Sequence, residues 1–407
     1  GWPDQSHTPD RIPGLSGATV PGLVNFFAPR SIGARVVSET TTIGPRIGFA
    51  YDPGGSGKTV IKGYYGRFYF NSADIIANNE NPVGAAQLRY QFNDLNGNRT
   101  LDGPNELGRL LSTVGGAGFV TVDPDLKRPY GEEISTHFER ELREGLSGRV
   151  SYVYKNIRDD WAEVDLDRVG AYTIPVTVTD PGPDATVGTS DDRALSLVDR
   201  PAATTSRRVF SNPDEYDSDY HTVEVAAQRR FTGGWMLLTA FEHTWMKQFN
   251  GSVSSTGELG AAGVNKAYLW RPNQRMFGRE TTTLWNYKLI GRYTLPWDFG
   301  LSGSYKLQSG REWGRTLSVR LSGAGSETIR VEPANSNRAP NVHIVDLRFD
   351  RSFRFADRVR ATGMIDVFNL LNLGTVTTFR TATAANFKEV TSLLGPRIIR
   401  FGMRIEF

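Results

Sequence analysis

The sequence predicts an all-β chain, an antiparallel transmembrane β-barrel represented in part, and three observations predict it. Strand-length segments alternate apolar and polar residues, their connections alternate short and long, and no apolar run approaches the ~18 residues of a membrane helix. The last segment, residues 397–407, states the first observation most clearly. Ile399, Phe401, Met403, Ile405 and Phe407 fall on one side of an extended strand, and Arg400, Gly402, Arg404 and Glu406 fall on the other. A helix would scatter those apolar residues around its cylinder. A strand facing lipid on one side and a wet lumen on the other accounts for both faces.

The remaining strands follow in order. Arg46–Tyr51 leads through residues 53–57 into Thr59–Phe70, and Glu132–Arg143 turns through residues 144–147 into Gly148–Ile157. Tyr220–Phe231 and Trp235–Met246 flank Thr232-Gly-Gly234, a short hairpin signal. Thr281–Leu295 and Leu301–Trp313 meet across residues 296–300, and Val342–Phe355 and Val359–Leu370 meet across Ala356-Asp-Arg358. With the final strand this makes about eleven. Between the pairs run long polar stretches, so tight turns gather at one end and long loops at the other, as in outer-membrane barrels. Residues 1–43, rich in Pro, Gly, Ser and Thr, read as a loop before a barrel portion spanning 44–407. Trp235, Trp245, Trp285, Trp297 and Trp313 sit near strand ends, where an interfacial aromatic girdle belongs.

Composition removes several classes. A net charge of +3 over 47 basic and 44 acidic residues argues against a nucleic-acid partner, which would call for a concentrated basic face. The absence of Cys excludes disulfides and thiolate chemistry. The chain starts at Gly1 without a signal-peptide pattern, and a closed bacterial barrel needs an even strand number, so the expectation is a truncated piece.

Three segments carry a family resemblance: Gly44-Pro-Arg-Ile-Gly-Phe-Ala-Tyr-Asp52 followed by Gly57-Lys-Thr-Val-Ile-Lys-Gly-Tyr-Tyr-Gly-Arg-Phe-Tyr69; Asp366-Val-Phe-Asn-Leu-Leu-Asn372; and Arg397–Phe407. The chain resembles the C-terminal barrel portion of a TonB-dependent outer-membrane receptor, similar to the Oar-like group. The resemblance implies a barrel of about 22 strands, of which eleven are here, together with an N-terminal plug, a TonB box, long extracellular loops and short periplasmic turns. It implies residence in the cell outer membrane, a lipid bilayer as surroundings, energy from an inner-membrane TonB complex, and Ile399, Phe401, Met403, Ile405 and Phe407 as the signal read by the barrel-assembly machinery. Neither plug nor TonB box is in this sequence, and the half-barrel is expected not to fold alone, since its edges would stay unpaired. A non-energised porin-like or adhesin-like barrel and a soluble secreted β-sandwich acting on carbohydrate are the rival readings.

No catalytic constellation occurs. His7, His137, His221, His243 and His343 lie far apart, with His221 and His243 in the apolar register of their strands. Gly55-Ser-Gly-Lys-Thr59 lacks the first Gly of a phosphate loop, holding Asp52 there, and a strand follows it. Asp94, Asn96, Asn98, Asp102 and Glu106 approach the spacing of a calcium loop, although Arg99 stands where that loop has Gly. Asp180, Asp184, Asp191 and Asp192 form a second acidic loop open to a structural Ca²⁺. Asp346, Arg348, Asp350, Asp366, Arg400 and Arg404 are expected to ladder across neighbouring strands on the lumen side.

Overall fold

The computed structural model describes residues 5–7, 30–32, 41–70, 86–115, 120–249, 270–356 and 359–407. They contain β-strands and four short 3₁₀ turns, and no α-helix. Eleven strands form one antiparallel sheet: β1 Arg46–Tyr51, β2 Thr59–Tyr69, β3 Tyr130–Arg143, β4 Leu146–Arg158, β5 Ser218–Thr232, β6 Trp235–Phe249, β7 Arg279–Leu295, β8 Phe299–Gln308, β9 Val342–Ala356, β10 Val359–Phe368 and β11 Ile398–Glu406. Each pairs with the next in sequence, so the sheet is an up-and-down meander with β1 and β11 at its two edges. Most strands have at least the ~9–11 residues needed to cross a bilayer.

The connections alternate as expected. Residues 144–145, 233–234 and 296–298 close hairpins at one end, while 70–129, 159–217, 309–341 and 369–397 make long excursions at the other. Gly233 and Gly234, at φ 61° and 82°, supply the left-handed pair that a two-residue hairpin requires. Residues 357–358, the expected turn between β9 and β10, lie outside the described residues. Gly55-Ser-Gly-Lys-Thr59 is the β1–β2 hairpin turn: Asp52 accepts hydrogen bonds from the Gly54 and Gly57 amides at 3.1 and 2.6 Å.

Register shows how the two faces arise. Directly opposed residues share a face. One row runs Tyr51, Ile61, Phe138, Val150, Val225, Phe241, Tyr287, Leu307, His343 across nine strands. A second runs Trp235, Tyr293, Leu301, Phe349, Ile365, Phe401 from β6 to β11. These side chains are not packed against a second layer: Phe401 is 77% exposed, Phe49 59% and Phe241 42%. Ile399, Met403, Ile405 and Phe407 share that exposure. The opposite face carries rows such as Lys62, His137, Ser151, Glu224, Glu242, Asn286, Gln308. An apolar surface this large needs a medium that is not water.

Three expectations are corrected. The strand expected over Leu301–Trp313 ends at Gln308, because Glu312–Trp313 leaves the sheet to pair with Asn337–Arg338. Trp313 therefore belongs to the loops, where it packs on Phe379 and Phe387 with ring centroids 5.1 and 6.1 Å away. The other four tryptophans lie at the two ends of the wall: Trp235, under the Arg229 guanidinium, and Trp297 at the short-turn end, Trp245 and Trp285 towards the long loops. The strand expected to Leu370 stops at Phe368, since Asn369 turns left-handed at φ 50°. Within residues 1–43, the described residues include a short antiparallel pair, Gln5–His7 with Arg30–Ile32.

We predict that Phe241→Arg, on the oily face, lowers stability in bilayers by ~2–4 kcal/mol, whereas Glu242→Arg, one residue on, costs less than ~1 kcal/mol. Denaturant titration of the completed barrel in lipid vesicles measures both, and equal costs would contradict the two-faced wall.

Candidate functional site: the inner wall and the loop cap

The polar face is laced by cross-strand ion pairs. Lys62 meets Glu139 at 2.9 Å, Lys155 meets Glu133 at 3.0 Å, and Arg149 meets Glu224 at 2.6 Å. Arg348, Asp366 and Arg400 stand opposite one another on β9, β10 and β11. Asp366 takes Arg348 at 2.5 Å and Arg400 at 2.7 Å, an ordered fork on each side of one carboxylate. Asp350 binds Arg292, at 2.8 and 2.9 Å. The expected ladder thus exists for Arg348, Asp350, Asp366 and Arg400. Arg404 instead pairs along its own strand with Glu406 at 2.5 Å, and Asp346 accepts the Asn369 amide at 2.9 Å. Arg292 was missed, because only the register that puts Ser302 between Arg292 and Arg348 reveals it as a member of this row.

Asp366-Val-Phe-Asn-Leu-Leu-Asn372 acquires a role beyond its first carboxylate. The Asn369 side chain donates to the Leu373 and Gly395 carbonyls at 3.2 and 2.7 Å and accepts from the Leu373 amide at 3.2 Å. Asn372 accepts from the Arg397 amide at 2.9 Å. The motif is a clasp that ends β10 and sets the start of β11 across the intervening loop.

At the long-loop end, four excursions knit into a cap. Hairpin Ile174–Asp180/Arg193–Asp199 comes from the β4–β5 loop, and hairpin Thr316–Leu321/Gly325–Arg330 from the β8–β9 loop. Alternate residues Leu317, Val319 and Leu321 turn inward with Leu197, Ile329 and Val331 to make a core of their own. Asn273, before β7, exchanges hydrogen bonds with the Val198 backbone at 2.8 and 3.0 Å and donates to Glu327 at 3.2 Å. The β10–β11 loop joins through the Thr316 and Thr381–Thr383 backbones. A Cβ on Gly323 would lie 1.6 Å from the Arg200 carbonyl oxygen, so only glycine allows this approach of two loops.

Arg315 is the hub. Its guanidinium, 2% exposed, donates to both Asp180 oxygens at 2.6 Å, to the Thr383 hydroxyl at 2.6 Å and to the Gly182 carbonyl at 3.3 Å. Glu332 lies 3.4 Å away, and Arg193 closes on Asp180 from the other side at 2.9 Å. Burial alone would raise the Asp180 carboxyl; the Arg315 and Arg193 donors outweigh it and hold the group below the usual carboxylate range. Asp199 is treated alike: burial raises it, and the Gly323, Arg200 and Ala324 amides, with the Ser322 hydroxyl, bring it below its ordinary value. The Tyr172 hydroxyl, half-buried and bonded to Glu327 at 2.7 Å, is pushed up to about 12.

The two acidic loops differ. Asp94, Asn96, Asn98, Asp102 and Glu106 do fall in one loop. Asp94 accepts from the Gly97 and Arg99 backbone amides at 2.7 and 2.9 Å, Asp102 from the Asn96 and Asn98 side-chain amides at 2.6 Å each, and Glu106 from the Leu95 and Asp102 backbone amides at 3.3 and 2.8 Å. In the second, Asp180 is engaged by two guanidiniums, while Asp184, Asp191 and Asp192 hold local turns through Thr186, Thr189 and Gly188. Among the described residues, no three acidic or histidine side chains converge as a metal site. His137, His221 and His343 each bond a hydroxyl, from Ser151, Tyr152 and Tyr305 at 2.8, 2.8 and 3.0 Å. His221 and His243 occupy the oily face, opposite Trp245 and Trp285, as their register predicts.

An oily outer face, a polar inner face, tight turns below and a loop cap above define a membrane-spanning β-barrel wall. The sequence agrees: residues 14–304 match the family model of the outer membrane beta barrel domain, and the chain belongs to that family. It is an outer-membrane protein. No curated protein matches the chain. Among solved structures, the outer membrane transporter YddB from Escherichia coli is similar over 90% of this chain and 40% of its own, at 12% identity and TM-score 0.47. The ferripyoverdine receptor of Pseudomonas aeruginosa is similar over 93% and 35%, at 12% identity and TM-score 0.44. The FrpB iron transporter from Neisseria meningitidis is similar over 90% and 39%, at 12% identity and TM-score 0.43. The chain spans about two-fifths or less of the length of each.

We predict that Arg315→Met leaves Asp180 buried and half-satisfied, loosening the cap by ~3 kcal/mol. Hydrogen exchange should rise together in residues 174–199, 316–330 and 381–383 while the wall stays protected; a rise confined to one loop would refute the hub. Because Asp180 and Asp199 are depressed, their contribution is complete above about pH 4 and is lost as pH falls through their lowered values. Acid should therefore raise cap exchange first below about pH 4.

Proposed function

We propose that the chain is the C-terminal wall of a TonB-dependent outer-membrane receptor of the Oar-like group, taking up a ligand captured by its extracellular loops. The observation that carries the reading is the pairing pattern. Eleven strands form a meander whose edges, β1 and β11, are not paired with each other, and an open edge within hydrocarbon leaves its amides and carbonyls without partners. Further strands completing a barrel of about 22 remove both edges. The three segments that carry the family resemblance supply structural parts of this wall: the β1–β2 hairpin, the Asn369–Asn372 clasp and the edge strand β11. In this reading a plug fills the polar side, the inner-membrane TonB complex supplies energy, the barrel-assembly machinery reads the oily flank of β11, and the loop cap meets the ligand. None of these parts performs covalent chemistry.

Two measurements test the reading. The chain alone, refolded in detergent, should give a heterogeneous product without heat-modifiable mobility, and joining it to its upstream barrel half should restore that mobility. Uptake through the completed protein should stop when a protonophore collapses the inner-membrane gradient. Uptake that continues makes the barrel a passive porin-like channel and overturns energy coupling.

A further inference from the structure

The inner wall sets like charges opposite each other in more than one place, Glu224 with Glu242 and Arg354 with Arg360 among them, and the middle of β7 and β8 holds a pair of lysines. Lys288 on β7 and Lys306 on β8 stand directly opposite each other. Like charges in that position repel. Both are exposed, and among the described residues neither forms an ion pair. Other cations of this wall do meet a carboxylate: Lys62 has Glu139, Arg149 has Glu224, Lys155 has Glu133, and Arg292 has Asp350. Along the lysine row the neighbours are Ala240 and Ile344, then Ala226 and a further cation, Arg149; the row's carboxylate, Glu139, lies beyond Arg149 and is taken by Lys62. The two carboxylates one step diagonal are Glu242 and Asp346. Asp346 is held by the Asn369 amide at 2.9 Å and the Ser304 hydroxyl at 3.4 Å, and Glu242 faces Glu224 across β5 and β6. Directly above the lysines, Asn286 and Gln308 oppose each other and add amide donors.

We propose that Lys288 and Lys306, with Asn286 and Gln308, form an anion subsite on the lumen wall, taking a multivalent phosphate or carboxylate group of a solute in the barrel. Two ammoniums whose Cβ atoms lie ~4.5–5.5 Å apart converge on one such group, and its charge cancels the repulsion they otherwise carry. The amides above supply directional donors that an ammonium pair lacks. The proposal rests on the polar face being the lumen. Its ligand is a small anion rather than an acidic protein segment because the patch is narrow, confined to two strands, and bounded by Ala240 on one side and Ile344 on the other.

The test is lysine footprinting by reductive methylation of the completed barrel protein in its native membrane, read by mass spectrometry against Lys58 in the exposed β1–β2 turn. Inorganic phosphate and citrate are the two probes, separating phosphate from carboxylate recognition. Either should slow methylation of Lys288 and Lys306 several-fold without changing Lys58, and Lys288→Gln should abolish protection of Lys306. Absence of selective protection by both probes overturns the subsite. If both lysines resist the water-borne reagent before any anion is added, a membrane-permeant amine reagent decides the cause. Reaction then means the face meets lipid, and the barrel orientation fails; no reaction means a protein segment covers the pair, and only the solute subsite fails.

Discussion

Within hydrocarbon no water relieves an unpaired peptide group, so every strand that crosses must find its hydrogen bonds in a neighbouring strand. That constraint explains the meander, in which each strand uses its sequence neighbour and the short turns keep the partner at hand. It also makes side-chain alternation strict. A one-residue slip in any strand would carry its polar set into lipid. In the row from Tyr51 to His343, apolar or aromatic throughout, each member between the two ends is fixed by two partners at once.

Wall and cap obey different physics. Along its middle the wall turns its apolar residues outward and pairs its ions inward; on the outward register, ion pairs such as Arg67–Glu132 and Arg158–Asp219 are kept to the long-loop end. The cap reverses this. Leu317, Val319 and Ile329 face in, as in any water-soluble domain, and its ions are buried only where several donors converge on one carboxylate. Asp199 illustrates the rule: three backbone amides and a hydroxyl converge on it.

The wall was legible because period-2 alternation and turn spacing are local. Each strand of the sheet was found, with errors only at ends such as Gln308 and Phe368, where a departing partner or a left-handed Asn decides. The oily register of His221 and His243 and most of the inner ladder followed from the same alternation. The cap was not legible. Asp180 looked like a free acidic ligand because its partner Arg315 lies in a different loop, 135 residues away. Arg292 and the Lys288–Lys306 opposition were equally hidden, since they depend on register between strands and not on any pattern within one.

Arg315 also fixes how the outer surface can change. Its guanidinium ties its own excursion to two others, and a fourth is tied in through Glu327 and Asn273. Anything that grips one loop from outside, an antibody for instance, must therefore pull against the others. Insertions are free to accumulate at the tips, as at Gly188, but shortening any arm near the hub costs all of them.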